Sequence, residues 1–198
     1  MNTKKEDLFF ITGNSNKFNE IQQLFGQETI KYHLIQKDLK TVEIQADTIK
    51  SVAEFKLNSV RDKLVGSAFI EDAGFFVDNP LNGFPGVYSS YVMKTIGNKG
   101  ILKLIDDFDN SKAHFSTVIA LYFKPLNKLL FFEGTVEGKI SSLQKGDHGF
   151  GFDPIFIPDE IPTKTFAELT TSQKNSISHR GKAWLKLIDF LKKNWEKY

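Results

Sequence analysis

Two adjacent carboxylates, Glu71 and Asp72, lie between two apolar runs of the chain. The run at residues 68–70 is typical of the end of a short buried strand, and a second run follows at 75–77. A carboxylate held near a core is costly unless it is paired or bound to a metal, and Mg²⁺ prefers carboxylate oxygens. These residues therefore indicate a metal site at a strand end. A solvated turn is the alternative, and this stretch alone supports both interpretations equally.

An anion site is indicated near the start of the chain. Residues 8–11 form an apolar run typical of a buried strand, and a polar loop follows at residues 12–16. An amphipathic pattern then begins with Lys17 in its first turn. Free N–H groups at a helix N-terminus and a nearby lysine favour a phosphate. The commoner structure with this pattern is a plain capped helix, with Asn14 or Ser15 as the cap, and the P-loop pattern is absent.

A lysine lies on the apolar side of the second predicted helix. Asp47 is predicted to cap this helix. One stripe at helical spacing contains Ile49, Ala53, Lys56 and Val60. Lys56 either extends past the edge of the core to water, which is the commoner outcome, or reaches a cleft that holds negative charge.

A second glycine-rich loop covers residues 145–153 and places Phe150 and Phe152 next to Asp153. Two aromatic rings beside a carboxylate suit a planar ligand whose edge meets the acid. A turn whose aromatic side chains belong to the core is the commoner arrangement. The loop alone therefore favours a structural role.

Two basic side chains, His179 and Arg180, precede the last predicted helix by one turn. The apolar stripe of that helix consists of Ala183, Trp184, Leu187, Ile188, Leu191 and Trp195. Because the two basic residues extend the buried side at the helix N-terminus, where cations are unfavourable, they indicate an anionic or carbonyl-bearing ligand.

The composition is that of a globular protein with one sizeable core, since 25% of the 198 residues are charged and 40% are hydrophobic. A net charge of +2 gives no electrostatic case for nucleic-acid binding. The absence of cysteine excludes disulfides and thiolate catalysis. No apolar run approaches the ~20 residues of a membrane span, and residues 1–8 lack the pattern of a signal peptide. We therefore expect a cytoplasmic protein with no nucleic-acid or membrane partner.

The order of the predicted elements is typical of an α/β fold with a mixed sheet. We expect one domain of two lobes over residues 1–198. Besides the elements above, the pattern predicts a helix at 101–108 and strands at 32–35, 114–123, 129–140 and 154–157, with a hairpin turn joining the second and third of these strands.

Together and in this order, the motifs resemble the inosine triphosphate pyrophosphatase family over nearly the whole chain. The matching residues are Thr12-Gly13-Asn14, Lys17, Glu43, Lys56, Glu71-Asp72-Ala73-Gly74, Gly83-Phe84-Pro85-Gly86, Gly149-Phe150-Gly151-Phe152-Asp153-Pro154 and Ser178-His179-Arg180. This family hydrolyses unusual purine nucleoside triphosphates. The resemblance implies an elongated mixed β-sheet with flanking helices that form two lobes around a nucleotide cleft, usually as a homodimer.

The resemblance also implies a reaction, in which Mg²⁺ assists hydrolysis of ITP, dITP or XTP to the monophosphate and pyrophosphate. The implied catalytic residues are Asp72, Lys56 and Glu43, and the implied metal ligands are Glu43, Asp72 and Glu71. The implied substrate-binding residues are Thr12, Gly13, Asn14, Ser15, Asn16, Lys17, Ala73, Phe150, Gly151, Phe152, Asp153, Lys174, His179 and Arg180.

Base selection is expected to follow from hydrogen-bond donors. Arg180 has only donors and His179 can offer one, so a 6-carbonyl purine is accepted and the 6-amino group of adenine is rejected. Two positions depart from the family pattern. Ala73 replaces a common hydroxyl residue, and Ser90 replaces a basic residue found in some members, for which Lys94, one helical turn later, is the expected substitute.

Two other functions are alternatives. A Maf-like nucleotide pyrophosphatase is the nearest, but the motifs at residues 150–153 and 178–180 argue against it. A non-catalytic nucleotide-binding module is the other, and the presence of Glu43, Asp72 and Lys56 gives it no support.

Overall fold

A mixed β-sheet with helices on both faces forms the framework of the protein. The structure is a computed structural model and describes residues 6–28, 30–106, 108 and 111–194. The strands in these ranges are β1 (Glu6–Ile11), β2 (Tyr32–Lys37), β3 (Ser67–Asn79), β4 (Phe84–Gly86), β5 (Lys112–Phe123), β6 (Lys128–Ile140) and β7 (Phe156–Pro158). The helices are α1 (Ser15–Gly26), α2 (Ile49–Asn58), α3 (Ser89–Thr95), α4 (Gly97–Leu104), α5 (Thr171–Ile177) and α6 (His179–Asn194).

The strand order is β2-β1-β3-β5-β6-β7, and β4 pairs with β3. β1 is parallel to both β2 and β3, whereas the pairs β3–β5, β5–β6 and β6–β7 are antiparallel. β3 is therefore the strand at which the parallel and antiparallel parts of the sheet meet. The predicted mixed α/β fold is confirmed.

The alternation of side chains along β3 and β5 directs neighbouring residues to different helices. Phe69 and Leu121 pack in one cluster with residues of α1 and α6, including Trp184. Ala68 and Ala120 pack in another cluster with residues of α2. The sheet is therefore enclosed between α1 and α6 on one face and α2 on the other.

A further cluster forms the core at the far end of the long strands. Phe75, Val77 and Phe115 from the sheet pack there with Val92 of α3 and Ile101 of α4. The segment after β6 contributes five further side chains to this cluster: Phe152, Ile155, Phe156, Phe166 and Leu169. Among the described residues, no helix has the length and apolarity that crossing a membrane requires.

Three predicted boundaries are wrong. The helix predicted at 101–108 is α4, which begins earlier, at Gly97, where the backbone has a positive φ of 59°, and ends at Leu104. Asp47 does not cap α2, because the hydroxyl of Thr48 accepts the hydrogen bond from the Ser51 N–H at 3.1 Å. The segment predicted as a strand at 154–157 begins with a short 3₁₀ turn, so that β7 starts at Phe156. Trp195, predicted on the apolar stripe of the last helix, lies outside the described residues.

The position of α6 on β6 depends on the lack of a side chain at Gly134. A Cβ atom there would lie 2.1 Å from the His179 carbonyl oxygen and 2.6 Å from the Ala183 nitrogen, both in the α6 backbone. We predict that Gly134→Ala lowers the free energy of unfolding in urea by about 1–3 kcal/mol, the usual cost of overpacking.

Gly26→Ala is the matched control, since a Cβ atom at the end of α1 meets nothing within 4 Å. It should leave the stability unchanged or raise it by up to about 1 kcal/mol, because alanine favours the helix. Equal stability of Gly134→Ala and the unmodified protein would contradict the close approach of α6.

Candidate functional site

A cleft of about 1140 Å³ brings together side chains from α1, α2, β3, α5 and α6. Ser15 and Asn16 do not line it and lie exposed in the first turn of α1. Ser90 and Lys94 do line it. The other predicted site residues all contribute to its walls: Thr12, Gly13, Asn14, Lys17, Glu43, Lys56, Glu71, Asp72, Ala73, Phe150, Gly151, Phe152, Asp153, Lys174, His179 and Arg180.

The polar loop after β1 leads into the N-terminus of α1 at one wall of the cleft. Asn14 caps the helix, because its side chain accepts a hydrogen bond from the Lys17 N–H at 3.2 Å. The Asn14 N–H in turn donates to the hydroxyl of Thr12 at 3.1 Å. The Lys17 ammonium contacts the Glu71 carboxylate at 2.6 Å and the Glu71 carbonyl oxygen at 2.9 Å. The polar loop, the N-terminus of α1 and the Lys17 side chain thus lie next to one another, as an anion site requires.

Lys56 lies between two carboxylates on the α2 side of the cleft. Its ammonium contacts Glu43 at 2.9 Å and Asp72 at 2.8 Å. Burial alone would lower the pKa of Lys56, but the Asp72 and Glu43 carboxylates raise it above its ordinary value. The hydrogen bond from Lys56 lowers the pKa of Glu43. Lys56 therefore reaches carboxylates in the cleft rather than water outside it.

Asp72 and Glu43 differ in their exposure to solvent. The Glu43 side chain is 70% exposed, whereas that of Asp72 is 16% exposed. The second oxygen of Asp72, Oδ2, is buried and accepts no hydrogen bond from any residue that the structure describes. A buried carboxylate oxygen without a donor is unfavourable unless a ligand completes its contacts.

A network of ion pairs lies on the opposite side of β3. Glu20 of α1 pairs with the Lys174 ammonium at 2.8 Å and with the Arg180 guanidinium. Lys174 also pairs with Asp153 at 2.6 Å, and Arg180 also pairs with Glu71 at 3.0 Å. None of these five side chains is more than 7% exposed. With Lys17 included, we call these residues the buried network.

The buried network holds three carboxylates and three cations, so full ionisation leaves it without net charge. Burial favours the neutral form of Glu71, but the Arg180 and Lys17 cations hold its pKa well below the ordinary range. The cations beside Glu20 lower its pKa in the same way, against the effect of burial. At Asp153 burial outweighs the neighbouring cation and raises the pKa.

Glu71 and Asp72 lie in the middle of β3, so the predicted strand end at residue 70 is wrong. β3 continues through both acids and pairs with β5 along its length. This is possible because the Glu71 carboxylate, which is 0% exposed, is compensated by Lys17 and Arg180 and accepts a hydrogen bond from the Thr117 hydroxyl. Each of its two oxygens therefore lies beside a cation, Oε1 beside Arg180 and Oε2 beside Lys17.

At the basic start of α6, where an anionic or carbonyl-bearing ligand is expected, ion pairs within the protein already balance the charge of Arg180. Arg180 is matched by the carboxylates of Glu20 and Glu71. His179 stacks on Phe115 with ring centres 4.7 Å apart, and burial together with the Arg180 charge lowers its pKa well below 6.5. It is therefore neutral at pH 7. Two buried nitrogens, Arg180 Nε and His179 Nδ1, still have no partner among the described residues.

The two aromatic residues of the second glycine-rich loop lie in different environments. Phe150 is half-buried at the cleft, and its ring lies 5.0 Å from the Lys174 ammonium and 5.4 Å from the Arg180 guanidinium. Phe152 is 3% exposed and stacks on Phe75 with ring centres 4.8 Å apart. Phe150 is thus accessible to a ligand, whereas Phe152 borders the cleft mainly as a core residue.

Glu20 is the residue that the sequence analysis missed. It joins Lys174 and Arg180, which are 154 and 160 residues away along the chain. A local signal was available, because Glu20 lies three residues after Lys17 and four before Leu24, on the inward side of α1. An acid on that side, one turn from a lysine, indicates a buried ion pair.

The neutral state of His179 makes stability depend on pH. The unfolded chain binds a proton at His179 below about pH 6.5, whereas the folded chain does not, because the pKa of His179 is lowered. The stabilising contribution is therefore present above pH 6.5 and is lost as the pH falls. From pH 6.5 to 5 we predict a loss of up to about 1.4 kcal/mol per pH unit in the free energy of unfolding.

Urea unfolding at pH 5, 6 and 7 measures this slope, and His179→Gln should remove most of it. His148→Gln is the control, because His148 is exposed on the surface. If the slopes of the two variants are equal, His179 is not the group responsible.

Comparison with known proteins identifies the family of the chain. The model of the Ham1 family matches residues 8–190. A dITP/XTP pyrophosphatase of Thermococcus kodakarensis is 46% identical over 187 residues, which cover 94% of this chain and 98% of the relative. The enzyme of the same description from Pyrococcus horikoshii is 43% identical and covers 94% and 97% of the two chains.

Solved structures of similar fold also belong to Ham1 proteins. The Staphylococcus aureus Ham1 protein has a TM-score of 0.77 at 30% identity and covers 96% of this chain and 100% of its own. A HAM1 protein from Coxiella burnetii has a TM-score of 0.80 at 29% identity, with coverage of 95% and 99%. The resemblance identified from the motifs is confirmed, and the chain belongs to the Ham1 family.

Proposed function

We propose that this protein hydrolyses unusual purine nucleoside triphosphates (dITP, ITP and XTP) to the nucleoside monophosphate and pyrophosphate. The observation that carries the proposal is that one cleft contains two separate groups of charged side chains. Lys56 with Glu43 and Asp72 lies on one side of β3, and the buried network lies on the other. The relatives described as dITP/XTP pyrophosphatases support the same reaction.

The triphosphate is proposed to bind at the polar loop and the start of α1. Thr12, Gly13 and Asn14 line the cleft next to a helix N-terminus, where backbone N–H groups and the helix dipole favour an anion. Lys17 lies beside them and is 17% exposed, so its ammonium can reach a phosphate oxygen. Ser15 and Asn16 are proposed to contribute through the backbone of the first helical turn.

The carboxylates beside Lys56 suit a divalent metal. Asp72 Oδ2 is buried without a donor, and Glu43 is the more exposed of the two acids, so both can offer oxygens to Mg²⁺. Glu71 was expected as a third ligand, but its oxygens already contact Lys17, Arg180 and Thr117. We therefore propose Glu43 and Asp72 as the ligands and assign Glu71 to holding the two cations in place.

The reaction is proposed to be attack of water on the α-phosphorus with pyrophosphate as the leaving group. Bound Mg²⁺ would supply neutralising charge at the phosphate oxygens. Asp72 accepts a hydrogen bond from the water and orients it, in the role of a general base. Lys56 and Lys17 offset the negative charge that grows on the leaving pyrophosphate, since electrostatics and positioning dominate phosphoryl chemistry.

The base is proposed to bind between Phe150 and the basic residues at the start of α6. Arg180 Nε is a buried donor without a partner, and a purine 6-carbonyl would satisfy it. His179 and Gly151 line the same part of the cleft. Lys174 and Asp153 line it as well and are held in position by their ion pair within the buried network. A 6-amino group would meet the Arg180 Nε donor in place of an acceptor, which disfavours adenine.

Two departures from the family pattern are proposed to change affinity rather than activity. Ala73 lines the cleft without a hydroxyl, and Ser90 lines it without a charge. Lys94 also lines the cleft and contributes to lowering the pKa of Glu43, behind Lys56 and Lys17. The charge of Lys94 lies near Glu43, the proposed metal ligand. This supports Lys94 as the substitute for the basic side chain that some family members have in place of Ser90.

We also propose that the chain is one domain over residues 1–198, acts as a homodimer and works in the cytoplasm. The single sheet shared by all three core clusters supports the first proposal. The family resemblance and exposed apolar side chains such as Phe55 and Tyr91 support the second. The lack of cysteine supports the third.

The reaction is tested by measuring pyrophosphate release from ITP, dITP, XTP, GTP and ATP in the presence of Mg²⁺. We predict that kcat/KM for the first three exceeds that for ATP by at least about 10²-fold, and that Asp72→Asn lowers kcat by about 10²–10⁴-fold, since it removes the base while keeping the shape. Asp62→Asn, on an exposed turn after α2, is the control. Activity of Asp72→Asn equal to that of the control would contradict the assignment of Asp72.

The base site is tested by comparing Phe150→Ala with Phe152→Ala. Loss of stacking on a base costs about 1–3 kcal/mol, so Phe150→Ala should weaken binding of an ITP substrate by roughly five- to 150-fold with little loss of stability. Phe152→Ala should lower the free energy of unfolding by about 3–5 kcal/mol, because its ring lies in the core. An unchanged KM in Phe150→Ala would exclude stacking on this ring.

A further inference from the structure

Three potential metal ligands lie outside the nucleotide cleft, on the far part of the sheet. Asp78 is in β3, His114 in β5 and Glu137 in β6, and none of them lines the cleft. β3, β5 and β6 are adjacent, and His114 is directly opposite Glu137 in the pairing of β5 with β6. We call these residues the outer-face triad, because they share the face opposite to the core side chains of the same strands, such as Phe115.

The ligand atoms of the outer-face triad converge. One nitrogen or oxygen atom from each residue lies within 4.8 Å of the other two, and His114 Nδ1 is 2.8 Å from Asp78 Oδ2. The pairing of β3 with β5 shifts register between Val77 and Asn79, which makes Asp78 the irregular residue of the strand. Such an irregularity redirects a side chain, here towards the histidine.

The imidazole ring of His114 is held in one orientation. It stacks on Phe76, the residue opposite it in β3, with ring centres 4.5 Å apart and an angle of 4° between the planes. A ring held in this way presents Nδ1 in a fixed direction. Ligands that are oriented before binding lose less conformational entropy when a metal arrives.

A simple ion pair does not account for the whole group. A surface pair of Asp78 with His114 would contribute only about 0–1 kcal/mol. It also leaves Glu137 beside a second carboxylate, and like charges in such proximity are unfavourable. Two carboxylates and a neutral imidazole carry a charge of −2, which a divalent cation neutralises. Lys112 and Lys139 flank the group along their strands, but neither makes an ion pair with it among the described residues.

We propose that the outer-face triad binds a divalent transition-metal ion of the Zn²⁺ class. One imidazole nitrogen and two carboxylate oxygens form a mixed set that suits Zn²⁺ or Mn²⁺ better than the all-oxygen environment preferred by Mg²⁺. Bonds of about 2.0–2.2 Å require the exposed carboxylate of Glu137 to move inward by a change of rotamer. Because His114 is 23% and Asp78 40% exposed, water can complete the coordination.

The proposed ion would join three strands at the part of the sheet that carries the core of α3 and α4. Its effect would therefore be on stability, since a ligand that binds only the folded state raises the free energy of unfolding. This role is independent of the proposed hydrolysis, which uses residues on the cleft.

The test uses the full-length protein after removal of metals with a chelator. Zn²⁺ is titrated by calorimetry in excess Mg²⁺, and Co²⁺ absorption provides a spectroscopic signature of imidazole coordination. The background carries Glu43→Gln and Asp72→Asn, so that the cleft carboxylates cannot contribute. We expect one equivalent of Zn²⁺ to bind in this background and to raise Tm.

Variants of the outer-face triad assign the ligands. Glu137→Gln, an exposed substitution that keeps the shape, should weaken Zn²⁺ binding by more than the roughly 10–100-fold that loss of an outer-shell partner costs. His114→Gln should abolish the Co²⁺ signature and the rise in Tm while leaving Tm without metal and Mg²⁺-supported hydrolysis in the unmodified background unchanged. His33→Gln, an exposed histidine on β2, is the matched control and should bind normally.

Two results would overturn the proposal. One is the absence of Zn²⁺ uptake by the background protein. The other is uptake that Glu137→Gln and His114→Gln leave at the level of His33→Gln, which would place the ion elsewhere. A variant that loses stability without metal is replaced by Asp78→Asn, whose exposed side chain tests the same site.

Discussion

The shape of the cleft depends on buried charged side chains that neutralise one another. None of them could be buried without a partner. Glu20, Glu71 and Asp153 are each less than a tenth exposed, and an unpaired ion in such a place costs several kcal/mol. Lys17, Lys174 and Arg180 compensate them, and the resulting pairs link α1, β3, α5 and α6. Removing one member would leave an uncompensated charge, so the packing of these helices and the shape of the cleft are not separable.

The dipeptide Glu71-Asp72 connects this network to the second group of charges. Because neighbouring residues of a strand point to opposite faces, Glu71 meets Arg180 on the α6 side while Asp72 meets Lys56 on the α2 side. One strand therefore sets the relative position of both groups. A shift of β3 by one residue would exchange the two carboxylates, and the extensive pairing with β5 prevents it.

Local patterns predicted most elements but not their long-range partners. The cap at Asn14, the hairpin of β5 and β6 and the inward side of α2 follow from residues close in sequence, and these predictions are confirmed. The continuation of β3 through Glu71 was missed, because the cation that permits it, Arg180, is 109 residues away. Glu20 was missed for the same reason. The family motifs identified the residues lining the cleft more fully than periodicity did, since a motif carries information about tertiary contacts that local spacing lacks.

The two groups of charges differ in how readily they can exchange partners. Water screens the contact of Lys56 with Glu43, whose side chain is 70% exposed, so breaking this pair costs only about 0–1 kcal/mol. The pair of Glu71 with Arg180 is nearly fully buried, and losing it would leave charges without water or partner. A cation or phosphate entering the cleft can therefore replace the contacts around Lys56 while those of Arg180 persist. The proposed chemistry needs both kinds of group. Charges that can exchange partners lie around Lys56, where the phosphate bond would break, and charges that stay paired lie around Arg180, where the base would be recognised.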